Sequence, residues 1–219
     1  MTRPETGFPT DLFEEGRGAM TLQPGAMLLG GFAAPYAEDL LADLRSVAEG
    51  AGFRNMVTPG GWPMSVAMTN CGDLGWVTDR TGYRYDPLDP ETGAPWPAMP
   101  ASFRSVAERA AEVAGYADFS PDSCLMNRYE PGSRLSLHQD RNERDLDAPI
   151  VSVSLGRAAS FLWGGATRGE KPTRVLLVHG DVVVWGGPAR LAFHGVETLR
   201  AGDSPAGGFR YNLTFRTAR

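Results

Sequence analysis

The tightest constraint on this chain lies after Gly115, where eight short apolar runs follow one another with no helical pattern between them. They are Cys124–Tyr129, Ser133–His138, Ile150–Leu155, Ala159–Trp163, Thr173–Val178, Val182–Trp185, Arg190–His194 and Phe209–Phe215. Turns such as Pro131-Gly132, Gly164-Gly165, His179-Gly180-Asp181 and Gly186-Gly187 separate them. Eight strands at this spacing predict two packed antiparallel sheets, a β-sandwich or jelly-roll barrel.

The upstream half reads as cover for that barrel. Ala26-Met-Leu-Leu suits a strand, and Pro35 opens a helical pattern to Gly50 with Leu40, Leu41, Leu44, Val47 and Ala48 at helical spacing. A second helix is predicted from Pro100 through Phe103, Val106, Ala107, Ala110 and Val113 to Gly115. Between them, residues 53–100 are dense in Gly, Pro, Trp and Tyr, with strand candidates at Met64–Thr69 and Gly82–Tyr85. No internal repeat or long linker divides the 219 residues. The expected organisation is an irregular acidic arm over 1–24 and one domain over 25–219, with its β core at 122–216. The fold class is mainly β with flanking helices.

Two cysteines, Cys71 and Cys124, form no CxxC pair, and the acidic, Pro/Gly-rich start does not resemble a signal peptide. No apolar run approaches the length of a membrane span. A cytoplasmic monomer is the expectation. The net charge of −5 argues against nucleic-acid binding by bulk electrostatics. The distribution is uneven, however: residues 157–174 hold Arg157, Arg168, Lys171 and Arg174 against Glu170 alone.

Chemistry begins at Leu137-His138-Gln139-Asp140. Residues i and i+2 of a strand share a face, so His138 and Asp140 converge. Of the three histidines, His194 closes a strand-like run, whereas His179 reads as a solvated turn residue. Two histidines and a carboxylate on one face of a metal leave positions open, the arrangement of non-heme Fe(II) oxygenases. An H-x-D tripeptide alone is common, and the C-terminal run Arg210-Tyr-Asn-Leu-Thr-Phe-Arg216 adds weight. Arg210, Asn212, Thr214 and Arg216 fall on one face of that strand and Tyr211, Leu213 and Phe215 on the other. Two arginines on an inner face require anions, and a dicarboxylate is one such anion. Asn127 and Tyr129, also sharing a face, offer neutral hydrogen bonds to the same ligand.

The longer strings around these residues carry a resemblance. Met56-Val-Thr-Pro-Gly-Gly, Met64-Ser-Val-Ala-Met-Thr-Asn-Cys-Gly, Pro95-Trp-Pro-Ala-Met-Pro, Leu135-Ser-Leu-His-Gln-Asp, Ala148-Pro-Ile-Val-Ser-Val-Ser-Leu-Gly, His179-Gly-Asp-Val-Val-Val-Trp-Gly-Gly and Arg210–Arg216 are similar to the bacterial AlkB family. Those proteins are Fe(II)- and 2-oxoglutarate-dependent dioxygenases that repair alkylated nucleic acid. The resemblance covers the chain from about Gly25 to Arg216. It implies a double-stranded β-helix, or jelly roll, with residues 53–100 as a nucleotide-recognition lid. It further implies iron ligands at His138, Asp140 and His194, and 2-oxoglutarate held by Asn127, Tyr129, Arg210, Asn212 and Arg216. The reaction implied consumes O₂ and 2-oxoglutarate and removes N-alkyl groups as formaldehyde, with succinate and CO₂ as co-products. Its substrates would be bases such as 1-methyladenine and 3-methylcytosine, in single-stranded DNA, with RNA as a further candidate.

A base undergoing chemistry leaves its stack and needs a replacement surface. By the resemblance, Trp76 is the stacking residue with His138 as a second wall. Tyr83 and Tyr85 belong to the lid, and Arg168 lies near the lesion. Trp62 and Trp96 read as ordinary core. Position 142 departs from the family, with Asn142 where an acidic residue is expected, so the attraction for a cationic base weakens. Trp163, Ala189, Ala192 and Phe193 also depart and are expected to reshape the pocket wall. Two other readings compete: a hydroxylase of the same fold acting on a small molecule or protein side chain, and a metal-free jelly-roll binding module. The aromatic residues disfavour the first, and the intact ligand set with both arginines disfavours the second.

Overall fold

In the computed structural model, which describes residues 18–201 and 206–219, the elements run β1 (Ala19–Gln23), β2 (Ala26–Leu29), α1 (Ala37–Gly50), β3 (Ala67–Gly72), β4 (Gly75–Asp79), β5 (Gly82–Asp86) and α2 (Ala101–Val113). The chain continues as β6 (Ser123–Tyr129), β7 (Leu135–His138), β8 (Ile150–Gly156), β9 (Ala159–Trp163), β10 (Thr173–Leu177), β11 (Val182–Trp185), β12 (His194–Val196) and β13 (Arg210–Arg216). A seven-stranded sheet has the order β1-β2-β11-β8-β13-β6-β3, and a four-stranded sheet the order β10-β9-β12-β7. The strands β4 and β5 form a separate hairpin. All pairings are antiparallel.

Alternation along the strands decides what each face of the larger sheet meets. Val151, Val153 and Leu155 of β8 and Leu213 and Phe215 of β13 pack against the helices. There they meet Leu40, Leu44 and Val47 of α1 and Phe103, Val106 and Ala110 of α2, buried stripes at helical spacing. On the opposite face Leu125, Tyr129, Val183 and Trp185 meet Phe161, Trp163, Val175, Leu177 and Val196 of the smaller sheet. Two antiparallel sheets packed this way are the jelly roll the strand count predicts.

Three local expectations are corrected. Residues 19–23 of the supposed irregular arm are a strand, because Pro24 and Gly25 close a two-residue hairpin loop onto β2, with Gly25 at φ +82°. The rest of the arm lies outside the described residues. Arg190–His194 is not a strand: a short turn over Gly187–Ala189 spends the backbone groups locally, with Ala189 N–H donating to Gly186 O and Arg190 N–H to Gly187 O. Pairing starts only at His194. The strand expected over Met64–Thr69 begins at Ala67, since Met64 N–H instead donates to Met56 O within a preceding loop. The strand β4, which carries Trp76, had no clear sequence signal.

One glycine brings the two histidine strands together. A Cβ on Gly195 would meet Leu135 O at 2.6 Å, so only glycine lets β12 lie this close to β7. His194 is thereby registered opposite His138.

Candidate active site

A cavity of about 780 Å³ lies between the sheets, and His138, Asp140 and His194 line it. His138 ends β7, Asp140 follows just beyond it, and His194 opens β12. One ligand atom from each lies within 4.8 Å of the others. His138 Nε2 is 3.6 Å from Asp140 Oδ1, and His194 Nε2 is 3.8 Å from Asp140 Oδ2. His138 Nδ1 lies 2.9 Å from Ser136 O, and His194 Nδ1 3.0 Å from Ala192 O. A carbonyl only accepts, so each Nδ1 carries a hydrogen, which in the neutral ring leaves the lone pair on Nε2, towards the carboxylate.

Electrostatics reinforce that state. Burial, followed by the neighbouring His138, pulls His194 down to about 4 and keeps it neutral. Burial alone would raise Asp140, but the Arg216 guanidinium, by its charge and its hydrogen bond, holds it well below the usual carboxylate range. The neutral His194 ring, the His138 ring and one ionised carboxylate on a common face suit a divalent iron and leave positions for further ligands.

Next to this cluster, β13 presents Arg210, Asn212, Thr214 and Arg216 to the cavity, all buried. Arg210 is therefore not a surface residue. Asn127 Nδ2 donates to Asn212 Oδ1 at 3.2 Å, Asn212 Nδ2 to Ser152 Oγ at 2.7 Å, and Thr214 Oγ1 to Asn212 Oδ1 at 2.8 Å. Burial pushes the Tyr129 hydroxyl up to about 12, so it stays a neutral donor. Arg210 Nε, Arg216 Nη1 and Asn127 Oδ1 are buried with no hydrogen-bond partner among the described residues. Unspent guanidinium donors on two arginines of one strand face fit a dicarboxylate such as 2-oxoglutarate.

A buried ionic network ties this wall together, and sequence reasoning missed it. Glu143 accepts from Arg190 Nη2 at 3.1 Å and from Tyr85 Oη at 2.5 Å, and lies 3.3 Å from Arg216 Nε. Arg190 Nη1 donates to Asp140 O at 2.7 Å, and Arg216 Nη2 to Asp140 Oδ2 at 2.6 Å. Arg190 and Glu143 thus fix both the main chain and the partner of Asp140. Within the charged run 141–145, Glu143 reads as solvated, and only the fold turns it inward.

The mouth carries the aromatic residues. Trp76 and Tyr83 line the cavity with rings stacked 5.7 Å apart at 24°. Trp76 is held by buried Asn70, whose Oδ1 accepts from Trp76 N–H and whose Nδ2 donates to Trp76 O, both at 3.0 Å. Trp96 packs beneath the hairpin, where a Cβ on Gly75 would meet it at 2.3 Å. Asn142 and Arg168 also line the cavity.

Tyr85 does not line the cavity with its hairpin neighbours. Its hydroxyl turns into the Glu143 network, and burial raises its pKa well above the ordinary value. Trp96 is core as expected, but Trp62 is 75% exposed at the cavity mouth, contrary to the core expectation. Of the residues expected to reshape the pocket wall, Phe193 lines it. Ala189 and Ala192 are buried in the core, and Trp163 stands behind His194, 6.5 Å between ring centres. His179 is half-buried and accepts from Gly156 N–H at 2.9 Å, so it is no free solvated turn residue.

Comparison with known proteins agrees with this geometry. Residues 25–216 match the 2OG-Fe(II) oxygenase superfamily. The chain is 59% identical over 198 residues to the alpha-ketoglutarate-dependent dioxygenase AlkB of Escherichia coli (strain K12), covering 90% of this chain and 92% of that protein. It is 32% identical over 227 residues to the DNA N(6)-methyladenine demethylase ALKBH1D of Arabidopsis thaliana, covering 89% of this chain and 50% of the relative. The solved structure of OsALKBH1 superposes with a TM-score of 0.80 at 31% identity, covering 90% of this chain and 99% of that one.

Proposed function

Because this chain belongs to the 2OG-Fe(II) oxygenase superfamily, we propose that it removes N-alkyl groups oxidatively from bases such as 1-methyladenine and 3-methylcytosine, in single-stranded DNA. It is a dioxygenase using Fe(II), 2-oxoglutarate and O₂. The observation that carries the substrate reading is the stacked Trp76–Tyr83 pair at the mouth of the cavity that holds the His138, Asp140 and His194 cluster. A flat, electron-rich platform suits a base taken out of its stack.

In this reading His138, Asp140 and His194 hold the iron. Arg210 and Arg216 pair with the two carboxylates of 2-oxoglutarate, and Asn127, Tyr129 and Asn212 hydrogen-bond along its length. When bound, Fe(II) with 2-oxoglutarate and O₂ supplies hydroxylation of the N-alkyl carbon, after which formaldehyde leaves, with succinate and CO₂ as co-products. Trp76 and Tyr83 orient the base, and Arg168 and Asn142 meet its periphery. Tyr85 acts as a positioning residue, anchoring the hairpin of Trp76 and Tyr83 to Glu143. The enzyme acts as a cytoplasmic monomer. Among the described residues no helix is long and apolar enough to cross a membrane.

Position 76 gives the test that separates substrate classes. Trp76→Ala is expected to impair repair of a methylated oligonucleotide far more than the uncoupled decay of 2-oxoglutarate. Equal loss of both would assign Trp76 a structural role and remove the support for a base substrate.

A further inference from the structure

Trp62 is the most exposed large apolar side chain among the described residues, yet its backbone is firmly held. Thr58 N–H donates to Trp62 O at 2.9 Å, Trp62 N–H to Thr58 Oγ1 at 3.2 Å, and Gly61 N–H to Thr58 O at 2.8 Å. The turn is fastened to both walls of the cavity mouth. Thr78 Oγ1 on β4, two residues from Trp76, donates to Val57 O at 3.1 Å. Ser65 Oγ donates to Arg134 O at 2.9 Å and accepts from Arg134 N–H at 3.0 Å, joining the turn to the segment that enters β7 and leads to His138. The indole is therefore presented at the mouth on a rigid support, and no ring or cation among the described residues covers it.

The charge around it selects the occupant. The cavity is lined by Arg134, Arg141, Arg168, Arg210 and Arg216 against Asp140 as the one lining carboxylate among the described residues. Arg134, Arg141 and Arg168 are exposed and make no ion pair with a described carboxylate. Arg80, also exposed, lies against the turn, its guanidinium 3.4 Å from where a Cβ on Gly61 would stand. An exposed aromatic face among unpaired guanidinium groups suits a flat ring on an anionic backbone. It does not suit an apolar peptide, which would leave those charges without partners.

We propose that Trp62 is a second stacking platform, holding the nucleobase next to the alkylated one while Trp76 and Tyr83 receive the target. Exposed arginines at the mouth then meet the phosphate linking the two and those that flank it. The proposal rests on the nucleic-acid reading above, and its test keeps the two apart. Turnover is measured on a methylated mononucleotide, which has no neighbouring base, and on a methylated pentanucleotide, with wild type, Trp62→Ala and Trp62→Phe. Loss of one stacked base raises the pentanucleotide KM by roughly 10-fold in Trp62→Ala at unchanged kcat. On the mononucleotide the loss shrinks below about twofold, and Trp62→Phe stays within about threefold of wild type on both. Binding is read independently by quenching of tryptophan fluorescence with the pentanucleotide, using enzyme loaded with Fe(II) and 2-oxoglutarate without oxygen; part of the quench disappears in Trp62→Phe. A pentanucleotide KM unchanged in Trp62→Ala, or equal loss on both substrates, overturns the second platform while leaving the proposed function standing. Wild-type enzyme inert on both substrates, with 2-oxoglutarate still consumed, overturns the nucleic-acid reading and the platform with it.

Discussion

Glu143 offers the sharpest test of how the wall of the active site is held. Its side chain is 2% exposed and faces Arg190 at 4% and Arg216 at 5%. Truncation in Glu143→Ala leaves two buried guanidinium groups short of a carboxylate and the Tyr85 hydroxyl without its acceptor. Breaking a buried ion pair from one side costs about 3–5 kcal/mol, with a further ~1 kcal/mol for the orphaned hydroxyl. Residual pairing of Arg216 with Asp140 offsets part of this, so the expected loss is about 4 kcal/mol. For a domain this size each kcal/mol lowers Tm by roughly 2–4 °C, which gives a fall of about 8–16 °C in thermal unfolding of the iron-free chain. Glu143→Gln keeps the shape and an acceptor for Tyr85 but loses the charge, and should cost about half as much. Because Arg190 also holds the Asp140 carbonyl, Fe(II) affinity should fall about 10–100-fold in Glu143→Ala. A double-mutant cycle with Tyr85→Phe should show a coupling of roughly 1 kcal/mol. If Glu143→Ala melts within 2 °C of wild type, with ~2 °C being the least that 1 kcal/mol produces, the network does not support the site.

Other perturbations separate the roles of individual residues. Arg210→Ala should raise the 2-oxoglutarate KM by about 100-fold or more, for loss of a buried charge-assisted contact of ~3 kcal/mol, while iron binding measured by equilibrium dialysis stays near wild type. Asn142→Asp restores a charge beside a cationic base and should raise kcat/KM on 3-methylcytosine and 1-methyladenine unequally, by up to about fivefold for ~1 kcal/mol; an unchanged ratio means position 142 does not set preference. His179 is held below its usual value by burial, so the folded chain favours the neutral ring. The stability this contributes is complete above the unfolded value of 6.5 and is lost as pH falls below it, while the ring's own NMR titration should have a midpoint under 6.5. A midpoint above 6.5 would contradict its bond from Gly156 N–H.

How much of this was legible in the sequence depended on whether a residue's role was local. Alternation along β13 separated Arg210, Asn212, Thr214 and Arg216 from Leu213 and Phe215, because a strand's period fixes faces without tertiary knowledge. The same rule paired His138 with Asp140 even though the strand ends between them. Failures came where the fold overrules local character. Glu143 sits in a run of charges that reads as surface, and Arg190 follows a proline turn that breaks its supposed strand. Trp62 looked like core because large aromatics usually are, whereas its Pro59-Gly60-Gly61 turn lifts it to the cavity mouth. Tyr83 and Tyr85 show the limit most clearly. They lie two apart on β5, yet one stacks on Trp76 and the other is drawn to Glu143.

The most direct test of the central claim is a mass spectrum of a single-stranded oligonucleotide bearing one 3-methylcytosine. The oligonucleotide is incubated with the protein, Fe(II), 2-oxoglutarate, ascorbate and air, beside a control lacking 2-oxoglutarate. Loss of one methylene mass in the complete mixture alone is the predicted result. Consumption of 2-oxoglutarate with the oligonucleotide unchanged would contradict the dealkylase reading and move the substrate to a small molecule or a protein side chain.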